Sequence, residues 1–172
     1  MMKIILLGYM GSGKSTIAGL LAGKKQLSFF DLDQIIEQLE QMAITSIFKE
    51  KGEIYFRKTE HQCFKEMMQS DASFVLSLGG GTPCYANNHE FLNGDGIISI
   101  YLKLSIDSLC KRLQEDSATR PLISDKSPEA LKDFVAQHLF ERSYYYNQAT
   151  HTLNTEGKSP DEIVDAIEKL LI

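Results

Sequence analysis

Gly8-Tyr9-Met10-Gly11-Ser12-Gly13-Lys14-Ser15 fills every fixed position of G-x-x-x-x-G-K-S/T, the phosphate-binding loop. The run Lys3-Ile4-Ile5-Leu6-Leu7 before it predicts a short buried strand. Thr16-Ile17-Ala18-Gly19-Leu20-Leu21-Ala22 after it predicts the first turns of a helix. Strand, loop and helix in that order are what phosphate binding requires. Glycines let successive main-chain N–H groups turn inward around phosphate oxygens, and the helix start adds the positive end of its dipole. Lys14 can reach the β- and γ-phosphates, and the Ser15 hydroxyl can ligate Mg2+. Gly11, Ser12, Gly13, Lys14, Ser15 and Thr16 are therefore the expected nucleotide-binding residues.

Working outward, strands alternate with helices. Leu27-Ser28-Phe29-Phe30-Asp31 predicts the second strand, followed by a helix from Gln34. Thr45-Ser46-Ile47-Phe48-Lys49 opens a short helix closed by Gly52, and Phe56, Cys63, Phe64 and Met67 mark a long amphipathic helix. The apolar runs at 74–78 and 97–102 predict strands three and four, and His151-Thr152-Leu153-Asn154 a fifth. Ser105 is an expected helix cap. Ser127-Pro128-Glu129 and Ser159-Pro160-Asp161-Glu162 each show a capping serine, a proline at the first helical position and acid in the first turn. The alternation predicts an α/β fold, a five-stranded parallel sheet with helices on both faces and ligands at the carboxyl ends of the strands.

At 172 residues, 43% hydrophobic and 24% charged, the chain reads as one globular domain over 1–172, with no linker or repeat. A formal net charge of −5 argues against nucleic acid or a membrane surface as partner. No apolar run approaches the ~20 residues that span a bilayer. Cys63, Cys84 and Cys110 are odd in number and lack metal-ligand spacing, so they read as reduced thiols of a cytoplasmic protein. His61, His89, His138 and His151 form no metal spacing either and read as surface or helix residues.

Strand two ends in Asp31-Leu32-Asp33. Residues i and i+2 of a strand point the same way, so two carboxylates would emerge beside the phosphates. One would hold Mg2+ through its water shell and the other would face an attacking hydroxyl; equally, Asp33 could cap the following helix. Arg57 has Glu53 at i−4 and Glu60 at i+3, which suits a surface ion-pair face as well as a carboxylate-gripping fork. Gly79, Gly80 and Gly81 suit a tight turn or the close approach of a ligand. The guanine-reading N-K-x-D motif is absent, and what remains suits a small kinase acting on an alcohol.

Residues 8–15, Asp31-Leu32-Asp33, Gly52-Glu53-Ile54-Tyr55-Phe56-Arg57-Lys58-Thr59-Glu60, Leu78-Gly79-Gly80-Gly81, Arg120-Pro121-Leu122 and Arg142 occur in the order seen in shikimate kinases. The chain resembles that family over most of its length, the G-E-x-x-F-R-x-x-E element being the specific part. The resemblance implies a P-loop NTPase of nucleoside-monophosphate-kinase-like, three-layer architecture. It implies ATP-dependent phosphorylation of the 3-hydroxyl of shikimate, a step toward chorismate and the aromatic amino acids, with ATP and Mg2+ as cofactors. On that basis Lys14, Asp33 and Arg120 are catalytic, and Asp31 joins Ser15 on the metal. Asp33, Arg57, Gly79, Gly80, Gly81 and Arg142 bind shikimate, the two arginines through its carboxylate. Arg112 and Pro160 clamp adenine, and Arg120 reaches the phosphates from a lid at about 116–124.

Arg142 beside Glu141 also reads as a simple salt bridge, and Lys111 and Arg112 as solvated helix charges. Tyr144-Tyr145-Tyr146 is richer in tyrosine than the family pattern, which has one near a Pro or Leu. A kinase for another small alcohol such as gluconate, or a non-catalytic nucleotide-binding switch, shares the phosphate loop. A monomer with a small-molecule substrate is the expectation.

Overall fold

The computed structural model describes residues 1–116 and 122–172. Among these residues, five strands form one sheet: β1 (Lys3–Leu7), β2 (Ser28–Asp31), β3 (Phe74–Ser77), β4 (Ile97–Lys103) and β5 (His151–Asn154). Their order is β2-β3-β1-β4-β5 and every pairing is parallel. The helices are α1 (Lys14–Lys25), α2 (Leu32–Glu40), α3 (Ile44–Lys51), α4 (Glu53–Gln69), α5 (Ile106–Glu115), α6 (Pro128–Tyr146) and α7 (Pro160–Leu170).

The central strand shows why the layers form. Every residue of β1 is buried, as in parallel strands covered on both faces. Its side chains alternate between two cores. Ile5 and Leu7 join Leu32 and Ile36 of α2, Phe56 and Phe64 of α4, and Leu131 and Val135 of α6. Ile4 and Leu6 join Ile17, Ala18 and Leu21 of α1 and Ile163, Val164 and Ile167 of α7. The expected three-layer α/β architecture follows directly. β3 and β4 flank β1, so the loop leaving β1 opens on a crevice at the carboxyl ends of the strands, the position where such sheets bind ligands.

Local chemistry sets the helix starts. Gly13 caps α1 with φ +91°, which a glycine adopts without penalty. Ser105, Ser127 and Ser159 accept from main-chain N–H groups as expected, and Ser159 with Glu162 completes a reciprocal capping box.

The Asp31-Leu32-Asp33 reading needs two corrections. Asp31 is the last residue of β2, and Asp33 already lies in the first turn of α2, so strand alternation does not relate them. Asp31, not Asp33, is the cap: its side chain accepts from the Gln34 N–H. Helix geometry nevertheless turns both carboxylates into one cavity.

Candidate active site

The phosphate loop forms as its glycines dictate. Gly8, Gly11 and Gly13 all have positive φ, and a Cβ on Gly8 would sit 2.8 Å from the Leu102 carbonyl oxygen. The Lys14 side chain lies along the loop, its Nζ donating to the Tyr9 carbonyl at 3.0 Å. Ser12 Oγ is buried without a hydrogen-bond partner, an orphan that an incoming phosphate oxygen would satisfy. The cavity over the loop measures about 460 Å³ and is lined by Gly11, Gly13, Lys14, Ser15, Thr16, Asp31, Asp33, Gly79, Gly80 and Arg112 among others. Arg112 donates from Nη1 to the Gly11 carbonyl at 3.2 Å. It also lines a groove of about 270 Å³ beside the loop with Ser12, Gly13, Thr16, Lys158 and Pro160.

The oxygen donors for a hard cation gather at the start of α1. Ser15 Oγ donates to Asp31 Oδ2 at 2.6 Å and lies 3.3 Å from Ser77 Oγ. Ser77 pairs with Asp31 across the β2–β3 register, which places it there. Among the described residues, no group of three His, Cys, Asp or Glu could hold a metal alone. Mg2+ suits such a place, since it takes one or two protein oxygens and completes its shell with phosphates and water.

A second cavity, about 230 Å³, is lined by Asp33, Phe48, Phe56, Arg57, Glu60, Gly79, Gly80, Gly81, Leu122, His138 and Arg142 among others. Asp33, Gly79, Gly80 and Met10 line both this cavity and the one over the phosphate loop, so the two adjoin at a carboxylate. Burial, then the charges of Asp31 and Glu60, raise the Asp33 carboxyl to about 6, against the pull of Lys14. A carboxylate poised there can take a proton near neutral pH.

Arg57 makes both expected ion pairs, to Glu53 and Glu60, but it is largely buried and not part of a surface face. Its Nη1 donates at 2.8 Å to Glu60, a buried carboxylate that also accepts from Thr82 Oγ1 at 2.8 Å. The guanidinium lies 3.9 Å from the Tyr85 ring centroid, while Glu53 is 3.9 Å away and exposed. Arg142 stands over the Tyr9 ring, and Glu141 accepts instead from Gln137, so the simple Arg142–Glu141 salt bridge is absent among the described contacts.

What comes close to the three glycines is side chains of the protein itself. None of them has positive φ, so they are not needed for a turn. A Cβ on Gly79 would lie 3.0 Å from Asp33 Oδ1, one on Gly80 3.3 Å from Arg142 Nη1, and one on Gly81 2.8 Å from Arg57 Nη2. Each glycine makes room for a different polar side chain.

Arg120 and most of the expected lid lie outside the described residues; beyond them, Leu122 is exposed and reaches the second cavity. Several residues escaped the sequence reading. His138 is not a plain helix residue but lines the second cavity, and its place one turn before Arg142 was the available signal. Tyr146 is fully buried and donates to the Gly80 carbonyl at 2.6 Å, whereas Tyr144 and Tyr145 pack around His89. The cysteines are free as expected: Cys63 and Cys110 buried, Cys84 partly so.

A phosphate loop whose cavity runs into a second one, carrying a titratable carboxylate at the join and arginines on the far walls, defines a P-loop kinase for a small anionic alcohol. The profile of the family described as shikimate kinase matches residues 10–171. A shikimate kinase of Flavobacterium johnsoniae is 51% identical, with 99% of each chain covered. That of Azobacteroides pseudotrichonymphae is 42% identical over 96% of each. The crystal structure of shikimate kinase from Bacteroides thetaiotaomicron superimposes with a TM-score of 0.90 at 34% identity, covering 99% of this chain and 98% of that one. Shikimate kinase from Acinetobacter baumannii in complex with shikimate gives 0.87 at 30% identity, over 99% and 93%. The chain belongs to the shikimate kinase family.

Proposed function

We propose that this chain uses ATP to phosphorylate the 3-hydroxyl of shikimate, with donor and acceptor in the two adjoining cavities and Asp33 at their junction. The adjacency of the cavities at a carboxylate of pKa about 6 carries the reading. Asp33 faces the acceptor hydroxyl and accepts its proton as the bond to phosphorus forms. Lys14 leaves the Tyr9 carbonyl for the β- and γ-phosphates, and main-chain N–H groups of residues 11–16 hold the remaining oxygens. Arg112 and Pro160 flank the adenine. Ser15 and, through its water shell, Asp31 would hold Mg2+, which neutralises charge on the phosphates. Arg120 is assigned to the transferred phosphoryl group on family resemblance alone.

Arg57 and Arg142 read the carboxylate of shikimate. Their fork geometry suits two-point contact, and the buried Glu60 fixes Arg57 in place. Alanine at either position should raise the shikimate KM roughly 10- to 150-fold with the ATP KM nearly unchanged. The deciding experiment is a coupled ADP-release assay over small polyols including shikimate and gluconate. Turnover of shikimate and its loss in Asp33→Asn are expected. Efficient turnover of gluconate alone would overturn the assignment, and nucleotide binding without transfer to any alcohol would leave a switch protein.

A further inference from the structure

Tyr9 belongs to the phosphate loop by its main chain and to the acceptor cavity by its side chain. Its carbonyl accepts from Lys14 Nζ at 3.0 Å. Its buried ring lies under the Arg142 guanidinium, 5.5 Å from centroid to Cζ. Its hydroxyl is 2.8 Å from His138 Nδ1. His138 sits one turn before Arg142 on α6, lines the acceptor cavity, and packs its ring 4.3 Å from that of Phe134.

We propose that Tyr9, anchored by His138, is the positioning residue for Arg142, so that a ring from the phosphate loop sets how firmly the acceptor carboxylate is gripped. The argument is one of preorganisation. A free arginine loses rotamer freedom whenever it grips an anion, and that loss weakens binding. A ring face beneath the guanidinium attracts it and restricts it beforehand. The hydroxyl contact to His138 keeps the ring from swinging away, and Phe134 in turn holds the imidazole. Arg142 also meets the Tyr146 hydroxyl from its own helix, so the guanidinium contacts two tyrosines, one from the phosphate loop and one from α6. Gly80 leaves the space in which it lies.

The inference rests on Arg142 reading the carboxylate, and the test separates the two claims. Steady-state kinetics would compare Tyr9→Leu, Tyr9→Phe, His138→Leu, Arg142→Ala and the Tyr9→Leu/Arg142→Ala double variant. Tyr9→Leu should raise the shikimate KM about 3- to 30-fold, with kcat and the ATP KM little changed. Tyr9→Phe, which keeps the ring, should recover most of that loss. In the Arg142→Ala background the Tyr9→Leu change should have no further effect on the shikimate KM. If Tyr9→Leu does not fold, His138→Leu still decides, because it removes the partner that anchors the ring and should raise the shikimate KM a few-fold. A shikimate KM unchanged in Tyr9→Leu, or in His138→Leu where Tyr9→Leu does not fold, would overturn the inference, as would a Tyr9→Leu effect that persists without Arg142 or falls equally on ATP. If Arg142→Ala raises the shikimate KM and the Tyr9 variants do not, only the positioning role falls. An unchanged shikimate KM in Arg142→Ala removes the carboxylate reading and this inference with it.

Discussion

At the scale of single residues, Asp33 shows function set against stability. Its carboxyl sits at about 6 because burial and the nearby Asp31 and Glu60 disfavour its charge. The folded state therefore binds this proton more tightly than the unfolded chain does. The resulting stability is fully present below the unfolded value near 3.8 and is lost as pH rises through about 6. Asp33→Asn removes the buried charge without touching the cap, which belongs to Asp31. It should raise stability at pH 8 by on the order of 1–3 kcal/mol, with the gain shrinking toward pH 4. Its kcat should fall about 10²- to 10⁴-fold. Chemical denaturation at both pH values and a kcat measurement check the pair. On the proposed role of Asp33 as the base, kcat should decline below pH 6 as it is protonated.

Elements position these residues, and the turn after β3 is the clearest case. Gly79, Gly80 and Gly81 are each pressed against a different polar side chain, so alanine substitutions should separate the roles proposed for Asp33, Arg142 and Arg57. Gly81→Ala would place a Cβ 2.8 Å from Arg57 Nη2 and push the guanidinium off Glu60. Its shikimate KM should rise about tenfold, the cost of one charge-assisted contact, with a smaller change in kcat. Gly79→Ala would crowd Asp33 Oδ1 at 3.0 Å, so its loss should fall on kcat. Kinetics of the two variants side by side test this, and equal effects on both constants would mean a general collapse of the turn. The start of α7 offers a second test. Ser159 and Glu162 cap the helix that brings Pro160 to the groove beside the loop. Ser159→Ala should cost about 1 kcal/mol, lowering Tm by roughly 2–4 °C, while the shikimate KM stays as it was.

At the scale of the molecule, both cavities depend on the packed sheet, so ligands should report on the whole fold. A ligand at about 100 times its Kd adds roughly 2.7 kcal/mol, and for a chain of this size each kcal/mol raises Tm by about 2–4 °C. Shikimate should therefore raise Tm by several degrees and gluconate at the same concentration by less; a thermal-shift measurement with each checks this. On the proposed reading the net charge of −5 does not prevent binding of the anion, because Arg57 and Arg142 line the cavity and would contact it directly.

The local pattern of the chain determined the phosphate loop, the strand–helix alternation and the serine caps. Each is encoded within a few neighbouring residues: glycine spacing, apolar runs and hydroxyl acceptors. The parallel sheet followed because its central strands, β1 and β3, are buried along their whole length and so need cover on both faces. Other features depended on how distant elements pack. Asp33 and Arg57 each had a local alternative, a helix cap and an ion-pair face, that sequence alone could not dismiss. The fold decided by giving the cap to Asp31 and burying Glu60 under the Arg57 guanidinium. The contacts of His138, Tyr9 and Tyr146 could not be read from their neighbours in sequence. Tyr9 and His138 are 129 positions apart, and only the docking of α6 against the phosphate loop brings them within a hydrogen bond. Burial, which moves the Asp33 carboxyl to about 6, is likewise a property of the assembled cavity, because desolvation requires all its walls at once.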